Sequence, residues 1–339
     1  MNDRYSRQVL FREIGIEGQE RLHSSRVLIV GCGALGASHA EMLARAGVGN
    51  LRIVDRDFVE YSNLHRQTLF KEQDAELRLP KAAAAKQRIS EINSEIDVEA
   101  VVADVNASNV ESLIKACDLV LDGTDNFQTR YLLNDASVRN GLAWIYGAAV
   151  SSYGTTMTVR PGKTPCLRCI FEEIPDAVSS PTCDTAGVIM PIISSISAIQ
   201  VAEALKILVG DTASLHNSLL QIDVWSNEWR KIALSRPNEN CICCGHRNFE
   251  FLDADSGEFA AVLCGRDAVQ IAPSHRGSFD LDALSDKIKF ITSVDQNEYL
   301  VRFTVNGHEI TVFRDARAII KGTDDIGLAR SLYARYIGL

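Results

Sequence analysis

The sequence predicts an α/β chain: a doubly wound, mostly parallel sheet with an antiparallel extension, followed by a small α+β domain. Three observations predict it. A glycine-rich turn, Gly31-Cys-Gly33-Ala-Leu-Gly36, directly follows a short apolar run at Arg26–Val30. Short apolar runs then alternate with segments of helical period as far as Tyr146. After Gly147 the alternation gives way to more widely spaced strands and turns.

Residues 1–23 read as a helical lead-in carrying Arg4, Arg7 and Arg12. Arg26–Val30 is short, apolar and bounded by glycine, as a buried strand is. Ala34–Ala46 has helical spacing and stops at Gly47, and Leu51–Val54 is a second strand ending at Asp55. Strand, glycine turn, helix and strand make the Rossmann-like mononucleotide-binding unit. Lys81–Ile92 follows Pro80 and carries an alanine run, the strongest helix-forming composition. Val98–Val102 reads as a strand and Val110–Ala116 as a helix. Leu119–Leu121 is an apolar strand running into Asp122-Gly-Thr-Asp125-Asn126. Phe127–Asn140 is helical and Ala143–Tyr146 is a strand.

Thr155–Val159 and Leu219–Val224 are the strands of the antiparallel extension. Between them lie a cysteine turn, a polar loop at 170–186 and a long apolar stretch, Gly187–Val209. That stretch contains Pro191, serines, Gln200, Glu203 and Lys206, which fits a helix buried in a domain and not a membrane span. A break at 235–248 closes the first domain, taken as 1–245. In the second, 246–339, strands are expected at Ala260–Leu263, Tyr299–Val305, Glu309–Phe313 and Ala318–Ile320, with helices at Leu281–Lys289 and Ile326–Tyr336.

Composition bounds the function. A chain of 339 residues suits two domains, and 46% hydrophobic residues suffice for a large core. A net charge of −9 argues against general nucleic-acid binding. Nine cysteines, an odd number, are too sparse for a disulfide scaffold and point to a reducing compartment with metal-binding or catalytic thiols. The first residues lack the apolar core of a signal peptide. The expectation is a soluble, cytoplasmic protein without a membrane or nucleic-acid partner.

The motifs carry the chemistry. Gly31, Gly33 and Gly36 offer backbone amides and a helix N-terminus to phosphate oxygens, and fit NAD, FAD, SAM or ATP alike. Asp55 stands 19 residues past Gly36, where a ribose-binding acid belongs. Asn63, Arg66 and Lys81 follow, and two cations with an asparagine suit nucleotidyl transfer, in which charge builds on phosphate oxygens. Asp125 and Asn126 follow a strand end; a carboxylate there holds magnesium or caps the next helix. Cys166 and Cys169 form one Cys-x-x-Cys pair, and Cys241 with Cys244 a second, about 70 residues on. Two such pairs close a tetrahedral structural Zn2+ site; Cys243 leaves the register of the second pair open, and Cys241/Cys244 keep the spacing. Cys183 lies in a polar loop before the long helix, where a nucleophilic thiolate or an inert loop thiol both fit. Cys32 and Cys117 read as small core residues, and Cys264, at the start of a turn in the second domain, as a carrier thiol or a buried cysteine.

Taken together, these residues resemble the MoeB/ThiF/HesA family, relatives of the ubiquitin-activating enzymes, from about residue 4 to 245. The resemblance is carried by Arg4-Tyr-Ser-Arg7-Gln8, the glycine turn, Ala46-Gly-Val-Gly-Asn-Leu, Val54-Asp55-Arg-Asp57, Ser62-Asn-Leu-His-Arg66-Gln67, Pro80-Lys81, Thr124-Asp125-Asn126, both cysteine pairs and Thr182-Cys183. It implies ATP- and Mg2+-dependent adenylation of the C-terminal glycine carboxylate of a ubiquitin-like sulfur carrier protein ending in Gly-Gly. Pyrophosphate leaves, and the carrier is prepared for thiocarboxylate formation or sulfur transfer. The resemblance implies that Gly33 and its neighbours hold phosphates, Asp55 the ribose, Asn63, Arg66 and Lys81 the triphosphate, and Asp125 magnesium, with Asp57 and Asn126 beside them. It implies that Arg7 reaches the ATP site of a partner subunit, hence a homodimer, and that Cys183 occupies the position of a covalent link in some relatives. A desulfurase or rhodanese is the implied sulfur donor. Ala34 replaces a further glycine frequent in family loops, and residues 246–339 do not resemble the rhodanese domain of some relatives. Competing readings are conjugation through a Cys183 thioester, adenylation of a small-molecule or peptide carboxylate, a nucleotide-binding scaffold and a dinucleotide oxidoreductase.

Overall fold

The computed structural model describes residues 3–174, 183–253, 259–263, 267–273 and 279–338. The chain forms two compact units, Met1–Ala254 and Asp255–Leu339.

The first unit is built on eight strands: β1 (Arg26–Val30), β2 (Asn50–Asp55), β3 (Asp97–Val102), β4 (Leu119–Asp122), β5 (Trp144–Val150), β6 (Tyr153–Val159), β7 (Ser218–Asp223) and β8 (Glu228–Ala233). Their order is β3-β2-β1-β4-β5-β6-β7-β8. The strands from β3 through β5 pair in parallel. Pairing from β5 to β8 is antiparallel. This is the mostly parallel sheet with an antiparallel extension that the sequence predicts.

Alternation along β1 sends successive side chains to opposite faces. Val27 and Ile29 join Leu51, Ile53, Leu43, Ala85 and Val201 in one core cluster. Leu28 and Val30 join Val120, Leu113, Tyr131 and Trp144 in the other. Both faces are therefore covered by helices, as parallel sheets require. The helix Met190–Val209 is long and apolar enough to cross a membrane by composition. In this fold its Val201, Ala204 and Leu208 pack into the first cluster, and Gln200 and Glu203 are buried and hydrogen-bonded.

The second unit carries an antiparallel sheet of β9 (Phe259–Leu263), β10 (Ala268–Ala272), β11 (Val294–Gln296), β12 (Leu300–Val305), β13 (His308–Phe313) and β14 (Ala318–Lys321), in the order β11-β12-β13-β14-β10-β9. The helices Leu281–Lys289 and Ile326–Tyr336 pack on one face through Leu284, Ile288, Leu332 and Tyr333.

Three strands have no counterpart in the sequence reading: β8, β10 and β11. All six residues of β8 are exposed, so no burial pattern marks it, and its pairing with β7 alone makes it a strand. Every residue of β10 is buried, which leaves no period-two signal. The strand β11 is three residues long. The first unit also continues past residue 245, since Phe249 and Leu252 are buried in the cluster that holds Tyr131 and Trp144.

Between β1 and β4 the chain order of the sheet reverses, which is where open α/β sheets place their ligands. Three glycines meet there. A Cβ on Gly36 would stand 1.8 Å from the carbonyl oxygen of Gly31, and one on Gly123 would stand 2.6 Å from the same oxygen. Gly31 itself has φ +82°, which an L side chain resists. Gly36→Ala is therefore expected to cost at least about 1–3 kcal/mol of overpacking in denaturant unfolding.

Candidate functional site

The glycine turn joins β1 to the helix Ala34–Ala46. Gly33 is the N-cap of that helix and supplies no side chain to its first amides. Unlike Gly31 and Gly36, it faces open space: a Cβ there would meet only the Gln67 amide nitrogen, at 4.0 Å. Free amides, the positive end of a 13-residue helix and an open approach make an anion cradle.

Asp55 ends β2 and is buried. Its carboxylate accepts hydrogen bonds from the backbone N–H of Cys32 at 2.5 Å and of Asp57 at 2.6 Å, fastening the glycine turn to the end of β2. Burial raises its proton affinity above the ordinary carboxylate range, and the Lys81 ammonium opposes that. Lys81 is 4% exposed and pairs with Asp57 at 3.3 Å. A lysine this buried is no solubilising surface charge.

Asn63 is buried and closes the short helical turn Tyr61–Asn63, its side-chain oxygen accepting the Glu60 N–H at 3.1 Å. The Gln67 N–H in turn donates to the Asn63 carbonyl at 3.0 Å. Because Gln67 stands beside Gly33, the segment bearing Asn63 and Arg66 borders the glycine turn. The Arg66 guanidinium donates to the Ser62 carbonyl at 2.8 Å and forms no ion pair with a carboxylate among the described residues.

On the other side of the glycine contact lies the turn after β4. Asp122 is fully buried. It accepts from the Thr124 backbone at 2.9 Å and hydroxyl at 2.7 Å, and pairs with buried Arg130 at 3.3 Å. Arg130 also donates to the Thr124 carbonyl at 2.7 Å. This brace presents Asp125 exposed at the rim. Asn126, not Asp125, caps the helix Phe127–Asn140, accepting the Thr129 N–H at 2.9 Å. Asp125 is thereby spared the capping role.

The thiols converge as well. The sulfurs of Cys166, Cys169, Cys241 and Cys244 lie within 4.8 Å of one another. Measured separations are 3.8 Å for Cys166–Cys169, 3.6 Å for Cys166–Cys241 and 3.4 Å for Cys169–Cys244. A tetrahedron with zinc–sulfur bonds of about 2.3 Å has edges of about 3.8 Å, so the quartet fits Zn2+. Cys243 is not one of the four; its thiol lies beside Cys166 and Asp135, and the Asn134 amide donates to its sulfur at 3.2 Å. Asn134 also accepts the Leu167 N–H at 2.8 Å, so one side chain braces both halves of the cluster.

Arg7 lies exposed on the helix Ser6–Val9 and forms no ion pair among the described residues. Cys183 begins the short helix Cys183–Ala186, and its side chain, like all of Cys264, falls outside the described residues. Cys32 is buried and Cys117 half-buried. The sequence reading missed Gly123, Asp122, Arg130, Gln67 and Gln200, which support the site from behind. Arg130 shares its helix face with buried Asn134 and Ser137, so no apolar pattern set it apart.

Comparison with known proteins settles the family. A family model described as "ThiF family" matches residues 5–243. The chain belongs to the ThiF family. Over its full length it is 45% identical to the full length of a Bacillus subtilis protein named sulfur carrier protein ThiS adenylyltransferase. It is 39% identical to the Haloferax volcanii SAMP-activating enzyme E1, over 77% of this chain and 95% of that one. Among solved structures, E. coli MccB with MccA-N7isoASN superposes with a TM-score of 0.64 at 24% identity, covering 72% of this chain and 76% of that one, which supports the fold.

The thiol geometry leads to an expected metal content of about one zinc per chain by elemental analysis. Cys169→Ser should lose it and expose the segment around Cys241 to protease, since site energies are on the order of 10–16 kcal/mol. Protein purified without chelator and free of zinc would contradict the assignment.

Proposed function

We propose that this ThiF-family chain adenylates the C-terminal glycine carboxylate of a ubiquitin-like sulfur carrier protein, releasing pyrophosphate. The observation that carries this reading is the full-length similarity to a ThiS adenylyltransferase, joined to an open glycine cradle flanked by a buried lysine.

In this reading the carrier carboxylate oxygen attacks the α-phosphorus of ATP. The bond from that phosphorus to the bridging oxygen breaks, and pyrophosphate departs with the electron pair. The nucleophile is already an anion, so the enzyme supplies position and positive charge and no strong base. Amides beyond Gly33 receive phosphate oxygens, and Asp55, with Asp57 beside it, lies where the ribose would rest. Asn63 and Arg66 border the cradle, and Lys81 is held toward it by Asp57. Asp125 and Asn126 stand at the rim; exposed Asp125 is the carboxylate suited to Mg2+, which would neutralise charge on the departing pyrophosphate. The protein nature of the substrate is favoured by the open edge strand β8, where Trp229 is 61% and neighbouring Trp225 83% exposed. Free thiols and an ATP-consuming reaction fit the cytoplasm. A desulfurase or rhodanese would then deliver sulfur to the adenylated carrier.

Arg7 belongs to a second copy's site in this proposal. Leu10, Phe11 and Ile16, beside Arg7 and Arg12, are 74%, 57% and 53% exposed, an apolar surface that a homodimer would cover.

Two measurements test the proposal. ATP–pyrophosphate exchange should appear with one Gly-Gly-ending carrier and fall on the order of 100–1,000-fold in Arg66→Ala or Lys81→Ala. Unchanged exchange in both variants would remove the roles of Arg66 and Lys81, and ATP binding without exchange for any carrier would favour the nucleotide-binding scaffold. Separately, Arg7→Ala and Lys81→Ala chains, each inactive alone, should recover about a quarter of wild-type exchange when mixed and allowed to exchange subunits. No recovery would remove the role of Arg7 across the dimer.

A further inference from the structure

Gln200 sits in the middle of the apolar helix Met190–Val209 with no exposed surface. Such a residue is costly to bury unless its amide is fully used. It is used on every side. The amide nitrogen donates to the Asp122 carbonyl at 3.1 Å, at the end of β4, and to the Ile145 carbonyl at 3.2 Å, near the start of β5. The amide oxygen lies 2.8 Å from Nε2 of His39, in the helix that follows the glycine turn.

These partners dictate the protons. Two carbonyl oxygens consume both hydrogens of the amide nitrogen, and a flipped amide would set oxygen against oxygen twice. The amide oxygen must therefore accept, so His39 carries its hydrogen on Nε2. Burial pushes the His39 imidazole down to about 4, which keeps it neutral. Gly147 completes the fit, because a Cβ there would come within 2.4 Å of the Gln200 amide oxygen.

We infer that Gln200 is a positioning residue for adenylation: its amide ties the glycine-turn helix to the end of β4 and the start of β5, and so fixes the spacing between the phosphate cradle and the turn that presents Asp125. The inference rests on the proposed function. One clamp reaches both halves of the site from beneath. On the Asp122 side it continues through the Asp122 carboxylate to Thr124, next to Asp125. On the His39 side it continues through one helix to Gly33. Neither Gln200 nor His39 needs to touch ATP or the carrier.

The test uses the full-length enzyme with its carrier. Gln200→Glu keeps the shape and leaves at most one donor for the two carbonyls. It should fold and bind ATP with KM within about three-fold of wild type, while exchange kcat falls ~100-fold, the order expected for a misplacement of about 1 Å. His39→Leu, which orphans the amide oxygen, should lose kcat in the same way, and His39→Gln, which restores an N–H donor, should recover most of it. Equal kcat in Gln200→Glu and wild type, or no difference between His39→Leu and His39→Gln, would overturn the inference. Nitrogen NMR of the wild-type protein is independent of turnover and must show His39 neutral with its hydrogen on Nε2; a hydrogen on Nδ1 would overturn the clamp whatever the variants do. A wild-type enzyme without exchange would count against the proposed function and leave the imidazole result as the judge of the clamp.

Discussion

The first unit depends on one constraint: two backbone turns must approach each other with no side chain between them. Gly31 and Gly36 on the first turn and Gly123 on the second meet at distances that any Cβ would violate. This contact brings the N-terminus of the Ala34–Ala46 helix to the end of β4. It also decides which glycine is left for a ligand. Gly33 faces open space while its neighbours are locked against backbone, so packing glycines and a cradle glycine coexist in one short turn. Polar groups then hold what the glycines allow. Asp55 fastens the turn to β2, Arg130 and Asp122 shape the turn before Asp125, and Gln200 joins both from below.

The same helix that begins at Asn126 ends the site at the thiol quartet. Arg130 on its first turns grips the β4 turn, while the single Tyr131 hydroxyl hydrogen is shared between the Phe171 and Glu173 carbonyls and Asn134 donates to the Cys243 sulfur. A metal in the quartet would anchor this helix from its far side and thereby steady the turn that presents Asp125. Four thiolates around a metal would leave no open coordination position, so the quartet would act through structure alone.

Much of this was legible in the sequence, for physical reasons that differ by element. Parallel strands buried on both faces are continuous apolar runs, which is why Arg26–Val30 and Leu119–Leu121 stood out. Cys-x-x-Cys spacing is a local geometric requirement and could be read directly, although only the fold shows Cys243 turned toward Asn134. What escaped was support that acts at long range. Gly123 looks like any turn glycine until Gly31 stands against it, and Gln200 looks like a blemish in an apolar helix until the backbones of β4 and β5 and His39 meet it. The strand β8 escaped because pairing, and no pattern of burial, defines it. Arg7 matched a motif, and it lies exposed with no ion pair among the described residues, so the geometry of a single chain does not define its role.

The central claim is that a carrier's terminal carboxylate becomes an acyl adenylate here, and trapping that species tests it most directly. The Cys183→Ala enzyme, incubated with ATP and a Gly-Gly-ending carrier, is quenched with hydroxylamine and the carrier's intact mass is measured. The account predicts a hydroxamate on the terminal glycine, formed without a thioester and absent when that glycine is deleted. An unmodified carrier alongside a hydroxamate-forming wild-type enzyme would assign activation to Cys183, and an unmodified carrier with both enzymes would contradict adenylation of the carrier.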